Sequence, residues 1–385
     1  MRNVKYALVL VFSMIVLGCK VGNGQLRDGI IRVDMYANYP EKEMILQDFM
    51  DVEYIALEST DNFITKGIVK AVGKNIILVT NSGRDGDIFV FDRATGKGLR
   101  KINRMGQGGE EYSLITEIVL DEDNDEMFVV DYPLRVVLVY DLYGNYKRKF
   151  KFADDSYYNF LYNYDRDHLL CFKSYLPAIE SEQSCHILVS KLDGSITQNV
   201  QLPYEEIETP VVINGEMAVT PAFSLITPSF EDWLVARASS DTVYSLLQDG
   251  RMKPFVVRTP SVHSMMPKIF LFPSLITNGY CFMYTLKKEV DFDTFKGFLG
   301  TNLVYDEQEN AIFQCKVYNG DFLSKKEVVF NMNSVSKEVA NCQVLEAGSL
   351  VELYGENKLK GELREIAAKL NEDSNPVLMF VKHKK

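Results

Sequence analysis

Four short apolar strand pairs along this chain turn on a glycine. Phe89-Val90-Phe91-Asp92 runs into Ala94-Thr95-Gly96-Lys97, and Leu138-Val139-Tyr140-Asp141 into Tyr143-Gly144-Asn145. Ile187-Leu188-Val189 runs into Leu192-Asp193-Gly194-Ser195, and Val243-Tyr244-Ser245 into Gln248-Asp249-Gly250-Arg251. The glycines are 48, 50 and 56 residues apart. A strand-built period of that size matches one blade of a β-propeller, a small sheet that buries its faces only against its neighbours. Such an array is one unit whatever its length, so the 385 residues need no division into several globular domains.

The first blade is the easiest to parse. Residues 67–72 supply an inner strand, and 75–79 a continuous apolar strand of the kind that packs on both faces. Residues 81–87 form a polar loop, and 88–91 with 98–102 the outer hairpin. Segments 115–120, 127–130, 136–140 and 146–152 repeat that order. The Asp-Gly pairs at 193–194 and 249–250 predict type I′ turns. A looser fifth blade has strands over 281–286 and 303–305, with a charged, aromatic insertion at 287–300. Leu359, Leu363, Ile366, Ala367 and Leu370 fall on one helical face, and Pro376 bars the helix from resuming. The apolar run 377–381 is then a last strand. It is expected to share a sheet with the N-terminal strand near Tyr54, because a ring that leaves its ends unpaired exposes strand edges. The expectation is an all-β, six-bladed β-propeller over 30–385, with a short C-terminal helix before the closing strand.

Residues 1–18 read as a lipoprotein signal peptide. Arg2 and Lys5 form a basic start, 7–17 is apolar except for Ser13, and Gly18 precedes Cys19. The run is too short to span a bilayer and fits the core of a secretory signal. A small residue before cysteine resembles the bacterial lipobox, in which the thiol is acylated. Cys19 is therefore expected to carry the lipid anchor, several acyl chains giving the stable attachment that one does not. The alternative is an ordinary signal with an incidental cysteine. Residues 19–29, without apolar periodicity, read as a flexible tether.

Net charge is −11, and without residues 1–18 the chain carries 40 basic against 53 acidic residues. A phosphate backbone would be repelled, which argues against nucleic-acid binding. After Cys19 five cysteines remain: Cys171, Cys185, Cys281, Cys315 and Cys342. Their apolar strand contexts read as buried free thiols. A Cys281–Cys315 or a Cys171–Cys185 bridge stays open, since spacing alone does not decide it.

Few segments carry recognisable chemistry. Residues 121–126 begin like a calcium loop, but an EF-hand needs Gly at its sixth position and Glu at its twelfth, where this chain has Glu126 and Tyr132. A solvated hairpin turn is expected there. His168, His186, His263 and His383 stand singly, without zinc spacing, and no Gly-x-Ser-x-Gly or P-loop occurs. No metal or cofactor is expected. In a propeller the loops between blades and the loops between middle strands emerge on one face. That rule gathers Arg84, Asp85, Gln107, Glu110, Glu111, Tyr112, Tyr132 and Arg135 around one rim. Mixed charges with exposed tyrosines there would suit a glycan, a peptide or a protein loop. A merely solvated rim is the plainer reading.

The loop Gly106-Gln107-Gly108-Gly109-Glu110-Glu111-Tyr112 joins blades one and two. Val52-Glu53-Tyr54-Ile55-Ala56-Leu57-Glu58 precedes it, and Asn375-Pro376-Val377-Leu378 comes near the end. With these three segments the chain resembles the six-bladed β-propeller lipoproteins of Gram-negative gut commensals, relatives of NHL-repeat propellers. The family's loop usually reads Gly-Gln-Gly-Pro-Gly-Glu-Tyr; here Gly109 stands for the proline and Glu110 for the following glycine. The resemblance covers residues 30–385 and implies the fold, but little about activity. Surface lipoproteins of that group carry an acidic tag after the lipidated cysteine. Here the first acid after Cys19 is Asp28, so the expected location is the outer membrane facing the periplasm, with the cell surface as the alternative.

The functional expectation is a lipid-anchored, extracytoplasmic binding or scaffold module without catalytic activity. Two rivals stand beside it. One is a metal-dependent lactonase or lyase with convergent carboxylates, Asn or His in the central channel; the inner strands at 67–72 and 115–120 offer Lys70 and Glu117 and little else polar. The other is a structural component of an envelope assembly.

Overall fold

Each turn glycine meets two demands at once. In the computed structural model Gly96, Gly144, Gly194 and Gly250 have φ between +69° and +86°, the left-handed region that glycine enters without strain. Each also abuts the preceding blade. A Cβ would strike the Ala56 carbonyl at Gly96, Ile102 at Gly144 and the Phe150 ring at Gly194. The recurring glycine thus marks blade-to-blade contact as well as a turn. The turns are not type I′: the residue before each glycine keeps a negative φ. The ladders instead shift register at Val90/Phe91, Val139/Tyr140, Leu188/Val189 and Val243/Tyr244. The extra residues are Leu99, Lys147, Thr197 and Phe255 on the outer strands, beyond the glycines. The glycine N–H groups close the turns onto the Asp92, Asp141, Ser190 and Leu247 carbonyls.

The structure describes residues 26–175, 181–215, 217–229, 232–292, 297–330 and 336–384. The signal peptide, Cys19 and most of the tether lie outside them; strand pairing already begins at Leu26–Arg27. Six blades form a ring. Blade 1 runs Ile68–Val72, Ile76–Thr80, Asp87–Asp92, Gly98–Asn103. Blade 2 runs Glu117–Asp121, Glu126–Asp131, Val136–Tyr140, Tyr146–Lys151. Blade 3 runs Tyr157–Asn163, His168–Ser174, Cys185–Ser190, Ile196–Val200. Blade 4 runs Ile226–Pro228, Trp233–Val235, Thr242–Leu246, Met252–Thr259. Blade 5 runs Ile269–Thr277, Tyr280–Lys287, Asn302–Asp306, Ala311–Asn319. Blade 6 joins the two ends of the chain: Val339–Leu345 pairs with Val377–His383, which pairs with Met50–Ala56. The expected closure is present, with Met379 opposite Tyr54.

Burial follows the strand period. Six apolar clusters fill the six gaps between neighbouring blades. Ile76 and Leu78 enter the gap toward blade 2, while Ile77 and Val79 enter the gap toward blade 6. A strand buried on both faces must be apolar at every position, which is why 75–79 reads as an unbroken run. The five cysteines at 171, 185, 281, 315 and 342 are buried and free, and neither bridge forms.

Two features go beyond the sequence reading. Before entering blade 6 the chain lays Ile30–Asp34 parallel to the outer strand of blade 4 and Glu41–Ile45 parallel to that of blade 5. The single C-terminal helix becomes two, Ala347–Gly355 and Gly361–Ala367, whose Leu350, Leu363 and Ala367 cap the cluster between blades 5 and 6.

The acidic turn at 121–126 is not simply solvated. Glu122 accepts hydrogen bonds from the backbone N–H groups of Lys74 and Ile76, at 2.6 and 3.0 Å, and so caps the adjacent turn of blade 1. Asp121 is 2% exposed and binds Lys191 Nζ at 2.6 Å. These acids join blades to one another.

Candidate functional site

The loops predicted to share a rim do meet. Ile115 N–H donates to the Gly83 carbonyl at 2.9 Å. Asp131 accepts from Ser113 N–H at 2.6 Å and from the Ser113 hydroxyl at 2.8 Å. Arg84, Asp85, Gln107 and Glu110 are exposed there. Glu111 folds back to accept the Gly108 N–H at 2.7 Å. Arg135 pairs with Asp155 at 2.6 Å and lies over the Tyr157 ring.

Tyr112 corrects the expectation of exposed tyrosines. It is 0% exposed and packs edge-on against Tyr140. Its hydroxyl donates to the Gly86 carbonyl at 2.7 Å and accepts from Arg104 N–H at 2.9 Å. Tyr112 therefore pins two loops together and has no surface for a ligand. Tyr132 behaves differently, because it faces inward and lines the central channel.

That channel is a cavity of about 1020 Å³. Residues 68–74 and 117–123 all line it, so it runs the whole length of the inner strands of blades 1 and 2. Tyr132, Phe160 and Tyr162 line it with partly exposed rings, and the nearly buried Phe223 and Trp233 border it. Its polar lining includes Lys70, Glu117, Asn159, Asn163, Ser224 and Lys337, with Lys74, Glu122, Asp123 and Glu338 adding charge. Irregular backbone aims several of them. The blade 1 ladder skips from Val69 to Ala71, leaving Lys70 as the bulged residue. The blade 3 ladder skips from Asn159 to Tyr162, with Phe160 at φ +54°. Bulges of this kind re-aim side chains and recur beside functional sites.

Lys70 Nζ donates to the Thr116 carbonyl at 2.8 Å and stands 3.9 Å from Glu117 Oε1. Glu117 Oε1 accepts Ile118 N–H at 3.1 Å. Its side chain is 41% exposed, but only to the channel, whose walls surround it. That confinement pushes the Glu117 pKa above the usual glutamate value, with Lys70 pulling the other way. The folded chain then holds a proton at pH values where the unfolded chain has lost it. The stability this contributes is present below the ordinary glutamate pKa and fades as pH rises through the raised one. Burial, aided by the Glu117 charge, also raises Tyr132, and it lifts Tyr162 to about 12. Both phenols are therefore neutral hydrogen-bonding groups at ordinary pH. Tyr132 donates to the Tyr158 carbonyl at 2.6 Å and approaches Asn159 Oδ1 at 3.0 Å. Tyr162 packs on Trp233 at 5.1 Å, and Lys337 Nζ lies 5.2 Å from the Trp233 ring.

Among the described residues no three His, Cys, Asp or Glu side chains converge to hold a metal ion. His186 is buried and bonded to the Leu225 carbonyl, its pKa lowered to about 4 by that burial. Sequence reasoning noted Lys70 and Glu117 but missed Asn159, Tyr162, Trp233 and Lys337. The usable signal was positional: 157–163 is the inner strand of blade 3, and its aromatic residues include ones that face the axis.

A family model described as "Domain of unknown function (DUF4934)" matches residues 30–382. The chain belongs to this family. No curated protein matches it in sequence. A "Putative exported protein" from Bacteroides fragilis is 16% identical, with a TM-score of 0.60 over 92% of this chain and 100% of its own. A member of the DUF4221 family from Bacteroides vulgatus is 9% identical, with a TM-score of 0.47 over 88% of this chain and 99% of its own. The first shows that the fold is shared; the second is too distant to carry an argument.

Proposed function

We propose that this DUF4934 chain is a lipid-anchored binding module of the bacterial cell envelope that takes its ligand in the central channel. The observation that carries this reading is the channel wall. A cavity of about 1020 Å³ lined by aromatic side chains together with polar and charged groups has the character of a ligand site rather than of a packed core. Binding is favoured over metal-assisted catalysis because no ligand set converges among the described residues. The N-terminal pattern supports export and acylation at Cys19, with the periplasmic side of the outer membrane as the location.

Two experiments test the two halves. Cys19→Ala should move the protein from the membrane pellet to the soluble fraction; full retention in the pellet overturns the anchor. For the channel, a ligand selected from glycan and peptide arrays should bind at least about tenfold more weakly to Tyr132→Ala and Tyr162→Ala. Tyr143→Ala, on an outer turn of blade 2, should bind like the parent. Loss of binding in Tyr143→Ala alone would place the site elsewhere.

A further inference from the structure

Lys70 and Glu117 form an ion pair that is held open. Nζ and Oε1 stand 3.9 Å apart, beyond hydrogen-bonding distance. Each is restrained by backbone: Nζ by the Thr116 carbonyl and Oε1 by Ile118 N–H. The bulge at Lys70 fixes the base of the lysine stem, and Glu117 opens the inner strand of blade 2. Lys70 keeps two N–H groups without a partner among the described residues, and Glu117 Oε2 has none either. Both residues line the cavity.

The gap therefore presents a charged donor on one side and a carboxyl group on the other. Few ligand groups satisfy both. A ligand ammonium would be repelled by Lys70, and a carboxylate by Glu117. A single peptide unit points its N–H and C=O in opposite directions, so it meets one partner and leaves the other. A hydroxyl both accepts and donates at one oxygen. It can accept from Nζ and donate to the carboxylate, and two vicinal hydroxyls can divide the same pair between them. Hydrogen bonds to ionised partners are the stronger kind. The partly exposed rings of Tyr132, Phe160 and Tyr162 line the same cavity and offer flat apolar surfaces to the C–H face of a sugar ring.

We propose that the channel is a neutral-carbohydrate site in which Lys70 and Glu117 together hold a hydroxyl or a vicinal diol. This assignment rests on the channel being the binding site. The test is calorimetry on the full chain with a panel of neutral di- to hexasaccharides and a matching panel of short peptides. A saccharide should bind the parent, and Lys70→Met and Glu117→Gln should each weaken it at least about tenfold. Removing the bridged hydroxyl from that saccharide should weaken binding to the parent equally. It should change little further in Glu117→Gln, because the two changes remove one interaction. If Glu117→Gln does not fold, Lys70→Met and the deoxy-saccharides carry the test. Failure of every saccharide to bind, or saccharide binding indifferent to both variants, overturns the carbohydrate assignment. Peptide binding that Tyr162→Ala abolishes also overturns it while leaving the channel reading intact. Binding indifferent to Lys70, Glu117, Tyr132 and Tyr162 alike removes both.

Discussion

Deletion of residues 376–385 should leave a chain that aggregates or melts far below the parent. The segment contains the middle strand of blade 6, paired on one side with Val339–Leu345 and on the other with Met50–Ala56. Its five apolar residues, Val377 to Val381, are all 0–1% exposed. Alternate residues serve different gaps: Val377, Met379 and Val381 fill the one toward blade 5, and Leu378 and Phe380 the one toward blade 1. Burial of each is worth about 1.5–3 kcal/mol. Their sum is comparable to the roughly 5–15 kcal/mol that separates a folded domain from its unfolded state. The deletion also opens two strand edges to intermolecular pairing. Size-exclusion chromatography and a thermal melt decide the matter. A truncated chain that stays monomeric and melts with the parent would refute closure through this strand.

The same strand explains why the fold was legible in the sequence and the site was not. Propeller architecture writes itself locally. A turn glycine must recur because each one takes positive φ and touches the blade before it, as Gly144 does at Ile102. Middle strands must be wholly apolar because two gaps share them. The segments that carry the family resemblance are structural in the same way. Asn375 donates to the Glu58 carbonyl at 2.7 Å and accepts Thr65 N–H at 2.9 Å, pinning the link from blade 6 to blade 1. Tyr112 locks the glycine loop. A tyrosine in a polar, glycine-rich loop reads as exposed, and only its backbone partners, at 86 and 104, show that it is buried. The channel is assembled from positions 70, 117, 132, 159, 162, 233 and 337, which no short motif links. Several are aimed by bulges, and a bulge leaves no reliable mark on residue order. The run Ile30-Ile31-Arg32-Val33 reads as a strand, but its parallel pairing on blade 4, and that of Glu41–Ile45 on blade 5, were hidden for another reason. The two strands pair with edges already complete in themselves, so no unfilled position in the repeat called for them.

Lys191→Met should be among the most damaging single substitutions, although Lys191 itself lines neither the channel nor the rim. Lys191 sits in the outer turn of blade 3, with its side chain 5% exposed. Its ammonium donates to Asp121 Oδ2 at 2.6 Å, to Asn163 Oδ1 at 2.7 Å and to the Asp165 carbonyl at 2.5 Å. Three donors meet three good acceptors, from the end of the blade 2 inner strand and the first turn of blade 3. Methionine would fill most of the volume but strand the Asp121 carboxylate, itself 3% exposed, without its counter-ion. Leaving a buried charge unpaired costs about 3–5 kcal/mol. With an unfolding entropy near 2 cal/mol/K per residue, that is a fall in Tm of roughly 4–7 °C for a chain of this size. The double variant Lys191→Met/Asp121→Asn separates the stranded charge from lost packing. The amide keeps an oxygen for Asn124 N–H, which Asp121 accepts at 3.3 Å, but carries no charge. It should recover part of the loss, since removing both members of a buried pair is gentler than removing one. If the single variant melts with the parent, Asp121 has found water or protonates freely, and the lysine is not the joint between blades 2 and 3 that its geometry implies.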